Sequence, residues 1–310
     1  MSFLAVSAVL VACLSERQRD GMNVDPKTSR DNSEADGKKS ELMKRIISGV
    51  AMAVVALGLT LYSPGSFLVL IIIGSALMGW EWRNMISADG IGSGANIALG
   101  LHLASTLGAI ILAHLGQGIW GLGLTLLGAC VLYLMANSPG RAYSFIGPFY
   151  TGLPGMALVW LRSDPVYGVA AVLFVLVLVW MADIGAYAVG RSVGGPKLLP
   201  RISPNKTWSG ALGGLLGSAL VAVGMARYLG GSDMMLLIGV ALILAVASQI
   251  GDLYESSIKR RFGIKDSSDL IPGHGGILDR VDGLIAAAVV AALIAFCVNV
   301  VQPGHAILIW

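Results

Sequence analysis

Residues 256–282, SSIKRRFGIKDSSDLIPGHGGILDRVD, hold a dense set of groups able to do chemistry. Lys259, Arg260, Arg261, Lys265, Asp266, His274, Asp279, Arg280 and Asp282 surround the run Gly273-His274-Gly275-Gly276. Cations beside a glycine loop suit phosphate oxygens, and clustered carboxylates suit a hard divalent cation. Pro272 and the three glycines break regular helix, so backbone can come close to a ligand. Asp279 and Asp282 stand one turn apart where the next apolar run begins. A helix dipole alone would favour carboxylates there, but it leaves His274 and the cations unexplained. The pattern reads as metal-assisted phosphate chemistry at a membrane surface.

Two other stretches carry related groups. Arg201-Ile202-Ser203-Pro204-Asn205-Lys206-Thr207-Trp208-Ser209-Gly210 opens an apolar run. Ser203 can cap a helix that Pro204 begins, and the free N–H groups with Lys206 and Thr207 would form an anion site. An ordinary helix start with an interfacial Trp208 explains the same residues. In Gln249–Arg260, a helix continuing past the membrane puts Asp252, Glu255, Ser256 and Lys259 on one face. Such a face can hold a metal and a phosphate side by side, or be a solvated helix end with an internal ion pair.

Within an apolar run, Asp183 is costly unless it faces a polar cavity or a partner, and Tyr187 and Arg191 share its face. Lining a cleft beneath the loops is the favoured role. Glu81, beside Trp80, reads as an interfacial anchor ahead of a cavity-lining group. His102, His114 and His305 lack ligand-like neighbours and read as structural. Cys13, Cys130 and Cys297 show no paired spacing and read as small buried apolar residues. Gly213, Gly214 and Gly217 read as a close helix-packing face.

The elements that must position these groups are membrane helices. Of 310 residues only 13% are charged and mean hydropathy is +0.77, against about 25% charged in soluble domains. A net charge of +3 does not suggest nucleic-acid binding. Runs near 46–62, 66–82, 95–115, 118–136, 145–161, 166–188, 209–229, 233–251 and 283–301 predict an all-α polytopic protein with about nine spans. With a cytoplasmic N-terminus, nineteen Lys and Arg fall on the cytoplasmic side and only Arg162 and Arg227 on the other. The same parity makes the loops at 189–208 and 252–282 cytoplasmic. Residues 1–44 read as a disordered polar tail with a short apolar start, not a cleaved signal peptide, and residues 303–310 as a C-terminal tail.

The run Ser257-x-Lys259-Arg260-x4-Lys265-Asp266-x-Ser268-x2-Ile271-Pro272-x-His274-Gly275-Gly276-x2-Asp279-Arg280-x-Asp282 resembles the signature of phosphatidate cytidylyltransferases, the CDP-diacylglycerol synthases. Ile202–Trp208 and Asp183-Ile184-Gly185-Ala186-Tyr187 resemble two further stretches of that family, in the same order. The resemblance covers about residues 45–302, which it marks as the transmembrane cytidylyltransferase domain, and omits the tail; Ser209 stands where many members are acidic. It implies transfer of CMP from CTP to phosphatidic acid in the bacterial cytoplasmic (inner) membrane, with Mg²⁺ and room for a second cation. Membrane lipids are then partners, a homodimer is open, and nucleic acid is not expected.

On that reading Asp252, Asp279 and Asp282 bind Mg²⁺. Lys259, Arg260, Lys265, Asp266, His274 and Arg280 form the catalytic set, His274 as a phosphate donor rather than a base. Ser203, Lys206, Thr207, Gly275, Gly276 and Asp183 bind substrate. A phosphatidyltransferase that consumes CDP-lipids would carry its aspartates in one DGxxAR…GxxxDxxxD run, which this chain lacks. A secondary transporter would show inverted repeats and charge at the midplane; here the charge lies at one face.

Overall fold

A computed structural model describes residues 53–86, 95–136, 140–271 and 275–310, together with Gly49. The tail at 1–44, Cys13 and the loop residues Pro272, Gly273 and His274 lie outside the described residues. The helices are α1 (Ala53–Tyr62), α2 (Pro64–Ile86), α3 (Ala95–His114), α4 (Gly118–Met135), α5 (Arg141–Arg162), α6 (Gly168–Val193), α7 (Trp208–Leu229), α8 (Met234–Arg261), α9 (Leu278–Val298) and α10 (Pro303–Leu308). Between α6 and α7 the chain forms a two-stranded antiparallel hairpin, β1 (Lys197–Leu199) with β2 (Ser203–Thr207), pairing Lys197 with Thr207 and Leu199 with Ser203.

Among the described residues seven helices, α2–α4 and α6–α9, are long and apolar enough to cross a membrane. The chain is an all-α polytopic membrane protein. Two of the nine expected spans do not meet that standard. α1 has only ten described residues. α5 has 22 residues but carries Pro148 and Pro154 and buries Ser144, Gly147, Thr151, Gly152 and Gly155. It packs against α2, α3, α4 and α9, so it faces protein more than lipid and has less need of an apolar surface.

The pairing of α6 with α7 shows how a lipid solvent inverts the usual pattern. α7 exposes Leu212 (64%), Leu216 (62%) and Leu220 (61%) and buries glycines instead. A Cβ on Gly213 would lie 2.6 Å from the Gly185 carbonyl oxygen, and one on Gly214 would lie 2.7 Å from that of Ala182. The glycines let two backbones meet, while leucine covers the face toward lipid. Cys130 and Cys297 are exposed, not buried as expected; they lie on helix faces turned away from the bundle.

The helices alternate between two ends. Trp82, Tyr143, Phe262 and Ile277 pack together at one end. At the other, Arg162 Nε donates to the Thr60 carbonyl (3.2 Å) and Asp233 N to the Trp310 carbonyl (3.2 Å). The stretch at 303–310, expected as a tail, is the docked helix α10 there, because Ala306, Ile307 and Leu308 bury fully among the spans.

Asp164 fastens that end. It is 4% exposed. Its Oδ1 accepts from Val166 N (3.0 Å) and Tyr167 N (2.8 Å), and its Oδ2 from His305 N (3.0 Å). Burial alone would raise its carboxyl pKa, but the amides of Tyr167, His305, Val166 and Gly304 outweigh burial and hold it below the usual carboxylate range. A depressed carboxyl contributes stability above its unfolded pKa of about 3.9 and loses it as pH falls through the folded value. Asp164→Asn should therefore lower stability at neutral pH by about 1–3 kcal/mol, and the gap to wild type should close on acidification below about pH 4. Thermal unfolding of both proteins in detergent checks this; identical curves at neutral pH would dismiss the clamp.

Candidate active site

The polar groups stand on an apolar floor at the Trp82 end. Met78, Trp82, Met85, Ile258, Leu278 and Ile285 form it. Tyr150 stacks 4.8 Å from Trp82 and 5.8 Å from Tyr254, and Trp82 Nε1 donates to the Tyr143 carbonyl (3.0 Å). This floor fixes the ends of α2, α5, α8 and α9 relative to one another.

α8 runs past the apolar stretch to Arg261. On its projecting turns Lys259 Nζ lies 3.0 Å from Glu255 Oε1, and Ser256 Oγ is 3.4 Å from Asp252 Oδ1. α8 and α9 come close because Gly251 leaves room: a Cβ there would meet the Asp282 carbonyl oxygen at 2.7 Å. Asp252 and Asp282 are thereby neighbours, and Asp252, Glu255 and Asp183 all act electrostatically on Asp282. From the hairpin, Lys206 forms an ion pair with Asp252. The two long loops therefore meet.

Asp279 ties the second loop down. Its Oδ1 accepts from Lys259 Nζ (2.6 Å), and its Oδ2 from Ser267 N (2.8 Å), Ser267 Oγ (2.9 Å) and Gly276 N (2.9 Å). A carboxylate offers about four lone-pair positions, and these four contacts engage them. Ile271 N donates to the Gly275 carbonyl (3.0 Å), closing the loop, and Gly275 has φ +79°, where a side chain would be strained.

The remaining expected residues sit as follows. Thr207 is buried and caps α7, its Oγ1 accepting from Gly210 N (3.1 Å). Ser203 does not cap a helix begun by Pro204, because the segment extends as β2 and the helix starts five residues later at Trp208. Ser203 itself is half-buried. Arg260 is exposed and reaches the Ile264 carbonyl (3.3 Å). Lys265, Asp266 and Arg280 are exposed at the rim. Asp183 is half-buried on α6, and one turn beyond it Arg191 Nη1 donates to Tyr187 Oη (3.2 Å). His274 lies outside the described residues.

Three groups have stronger environments than their sequence context suggests. Glu255 is 1% exposed, and neither oxygen makes a hydrogen bond despite the neighbouring Lys259. Its spacing from Asp252 and Lys259 is the signal that places it. Tyr150 Oη is buried without a partner and within electrostatic reach of Glu255, Asp282 and Asp252; nothing in its local sequence points there. Glu81 is fully buried and accepts four hydrogen bonds from residues 267–278, not an interfacial anchor at all. Its flanking tryptophans hide it.

Among the described residues no three Asp, Glu, His or Cys side chains are preassembled at metal-binding geometry. Lys206 on Asp252 and Lys259 on Asp279 occupy the faces that a cation would share. The donor types nonetheless suit a hard cation: Asp183, Asp252 and Glu255 all act electrostatically on Asp282, and Glu255 Oε2 has no partner among the described residues.

A profile of the cytidylyltransferase family matches residues 43–298. A phosphatidate cytidylyltransferase of Brucella suis biovar 1 (strain 1330) is 38% identical over 258 residues, covering 80% of this chain and 91% of that protein. One from Pseudomonas aeruginosa is 35% identical over 264 residues, covering 81% and 96%. One from Staphylococcus aureus (strain COL) is 42% identical over 145 residues, 46% of this chain and 55% of its own. The extent of these matches agrees with the resemblance carried by the signature at 257–282, and the chain belongs to the cytidylyltransferase family.

Proposed function

We propose that this protein is a phosphatidate cytidylyltransferase, joining CTP to phosphatidic acid to give CDP-diacylglycerol and pyrophosphate. The observation that carries the reading is the meeting of Lys206 with Asp252 beside Asp282, where the hairpin and the ends of α8 and α9 bring cations and carboxylates together at one end of a membrane bundle. A nucleotide from the aqueous side and a lipid phosphate from the bilayer can both reach such a place. The Lys and Arg asymmetry supports a cytoplasmic placement of this end in a bacterial inner membrane.

The reaction needs no covalent nucleophile from the protein. An oxygen of the lipid phosphate attacks the α-phosphorus of CTP, a P–O bond forms, and the bond to the β-phosphate breaks with pyrophosphate leaving. Both reactants are anions, so the chain's work is neutralising charge and aligning the pair. Lys206, Lys259, Arg260, Lys265 and Arg280 would hold phosphate oxygens, with Ser203 and Thr207 at the hairpin side, His274 donating from the loop and Asp266 at its rim. Gly275 and Gly276 would admit a phosphate close to backbone, although the Gly276 amide must then leave Asp279. Asp183 lines the lower wall and orients the cations above it.

Asp252, Asp279 and Asp282 would hold Mg²⁺, Asp279 by releasing one of its four donors, and Glu255 could serve a second cation. Bound there, the ion supplies charge neutralisation for the phosphates. To reach a phosphate, Lys206 has to exchange Asp252 for substrate, which leaves that carboxylate to a cation.

Asp282→Asn should abolish nearly all turnover while the protein stays folded in the membrane, scored by lipid-extractable label from radiolabelled CTP with phosphatidate and Mg²⁺. Near-wild-type label in that variant would refute the assignment. Lys206→Ala should weaken use of CTP by about 1.5–3 kcal/mol in kcat/KM, the strength of a charge-assisted contact. Steady-state kinetics in CTP that match wild type would remove the hairpin from the site.

A further inference from the structure

Glu81 lies in α2, far in sequence from every group assigned above, yet it is fully buried, and among the described residues its hydrogen bonds go to residues 267–278. Its Oε1 accepts from Ser268 Oγ (2.6 Å) and Ile277 N (2.8 Å), and its Oε2 from Leu278 N (2.8 Å) and Ser267 Oγ (3.3 Å). α9 begins at Leu278, and its own N-cap residue, Ile277, offers no side-chain cap. Glu81 thus caps α9 from another helix, with a full negative charge on the positive end of the helix dipole. The fit is tight, since a Cβ on Gly276 would lie 2.5 Å from Glu81 Oε1.

We infer that Glu81 is a positioning residue for cytidylyl transfer: it sets the loop and the first turn of α9 so that Asp279 and Asp282 face Asp252 and Lys259. This rests on the proposed reaction. Two anchors converge on Ser267, whose single hydroxyl proton is shared between Asp279 (2.9 Å) and Glu81 (3.3 Å) and whose amide goes to Asp279. Asp279 in turn holds Lys259. Glu81 also fills the anion site that the α9 N-terminus would otherwise present.

The test pairs activity with a measurement that does not depend on the reaction. Glu81→Gln keeps the size but cannot accept from all four donors, and it removes the charge. Turnover per folded molecule should fall about ten- to a hundredfold, as for misplacement by about an ångström, with KM for CTP little changed. Amide exchange at Ile277 and Leu278, whose acceptors are lost or weakened, should accelerate while the core of α9 keeps its protection. A variant that merely destabilised the protein would lower the folded yield but keep wild-type kcat in what remains. Should that variant not fold, Ser268→Ala removes the 2.6 Å bond to Glu81, together with the acceptor for Leu270 N (3.2 Å), and should move both readouts at Ile277 and Leu278 in the same direction, by less. Wild-type exchange and kcat in the folded variant would overturn the inference. If wild-type protein itself makes no CDP-lipid, the proposed reaction falls, and exchange at the two amides still decides whether Glu81 holds the helix.

Discussion

Everything at the polar end depends on a carboxylate, Asp279, that reaches three separate pieces of chain. It joins α9 to α8 through Lys259 and to the loop through Ser267 and Gly276. Carboxylates this close to a bilayer lose hydration, and a buried charge is tolerated only when its lone pairs are met. Asp279 and Glu81 meet that condition with multiple donors. Glu255 meets it only in part: Oε1 pairs with Lys259, and Oε2 has no partner among the described residues. The contrast separates groups that build the site from groups that wait on a partner: saturated carboxylates hold backbone, and under-satisfied ones are left for something to bind.

That arrangement needs a rigid bundle beneath it, built with little polar material. α6 and α7 meet backbone to backbone through Gly185, Gly213 and Gly214, so Asp183 and the hairpin carrying Lys206 are set by one helix pair. α8 and α9 meet through Gly251 and Gly283, the first against the Asp282 carbonyl and the second against Ser248. In both pairs the small residues stand within a few positions of the acidic ones. Close helix approach and carboxylate convergence are therefore one geometric fact, because helices separated by larger side chains would hold Asp252 and Asp282 apart.

Much of this was legible in the sequence, and the exceptions have physical causes. The projection of α8 beyond the membrane follows from charged residues at helical spacing between 252 and 261. Types and spacing single out Asp252, Lys259, Asp279 and Asp282, and the structure pairs Lys259 with Asp279 and sets Asp252 near Asp282. The hairpin they do not reveal: Ser203-Pro204 reads as a cap, yet the extended segment pairs with Lys197–Leu199, and Thr207 takes the capping role. Local capping rules see only one chain segment, and a strand partner overrides them. Glu81 was hidden for a related reason, because its donors lie about 190 residues away and the tryptophans beside it mimic an interface belt. α5 has the length of a span but less apolar surface than the other seven, because its glycines, prolines and hydroxyls pack against neighbouring helices.

The distribution of polar groups also bears on transport as an alternative. A carrier for a charged solute needs ionisable groups or interrupted helices near the midplane, reachable from both sides. Here the centre of the bundle between α6, α8 and α9 is closed by Ala171, Val172, Val175, Ala241, Leu244, Ala245, Ala288 and Ala291, each buried. Among the described residues the buried carboxylates Glu81 and Glu255 lie at one end, and Asp164, with Arg162, at the other. The Asp164 end is spent on fastening α10, whereas the opposite end keeps Glu255 without a hydrogen bond. A filled apolar middle with a reactive surface at one end is what condensation at a membrane boundary requires, since neither substrate has to cross: the nucleotide comes from water, and the lipid stays in its leaflet.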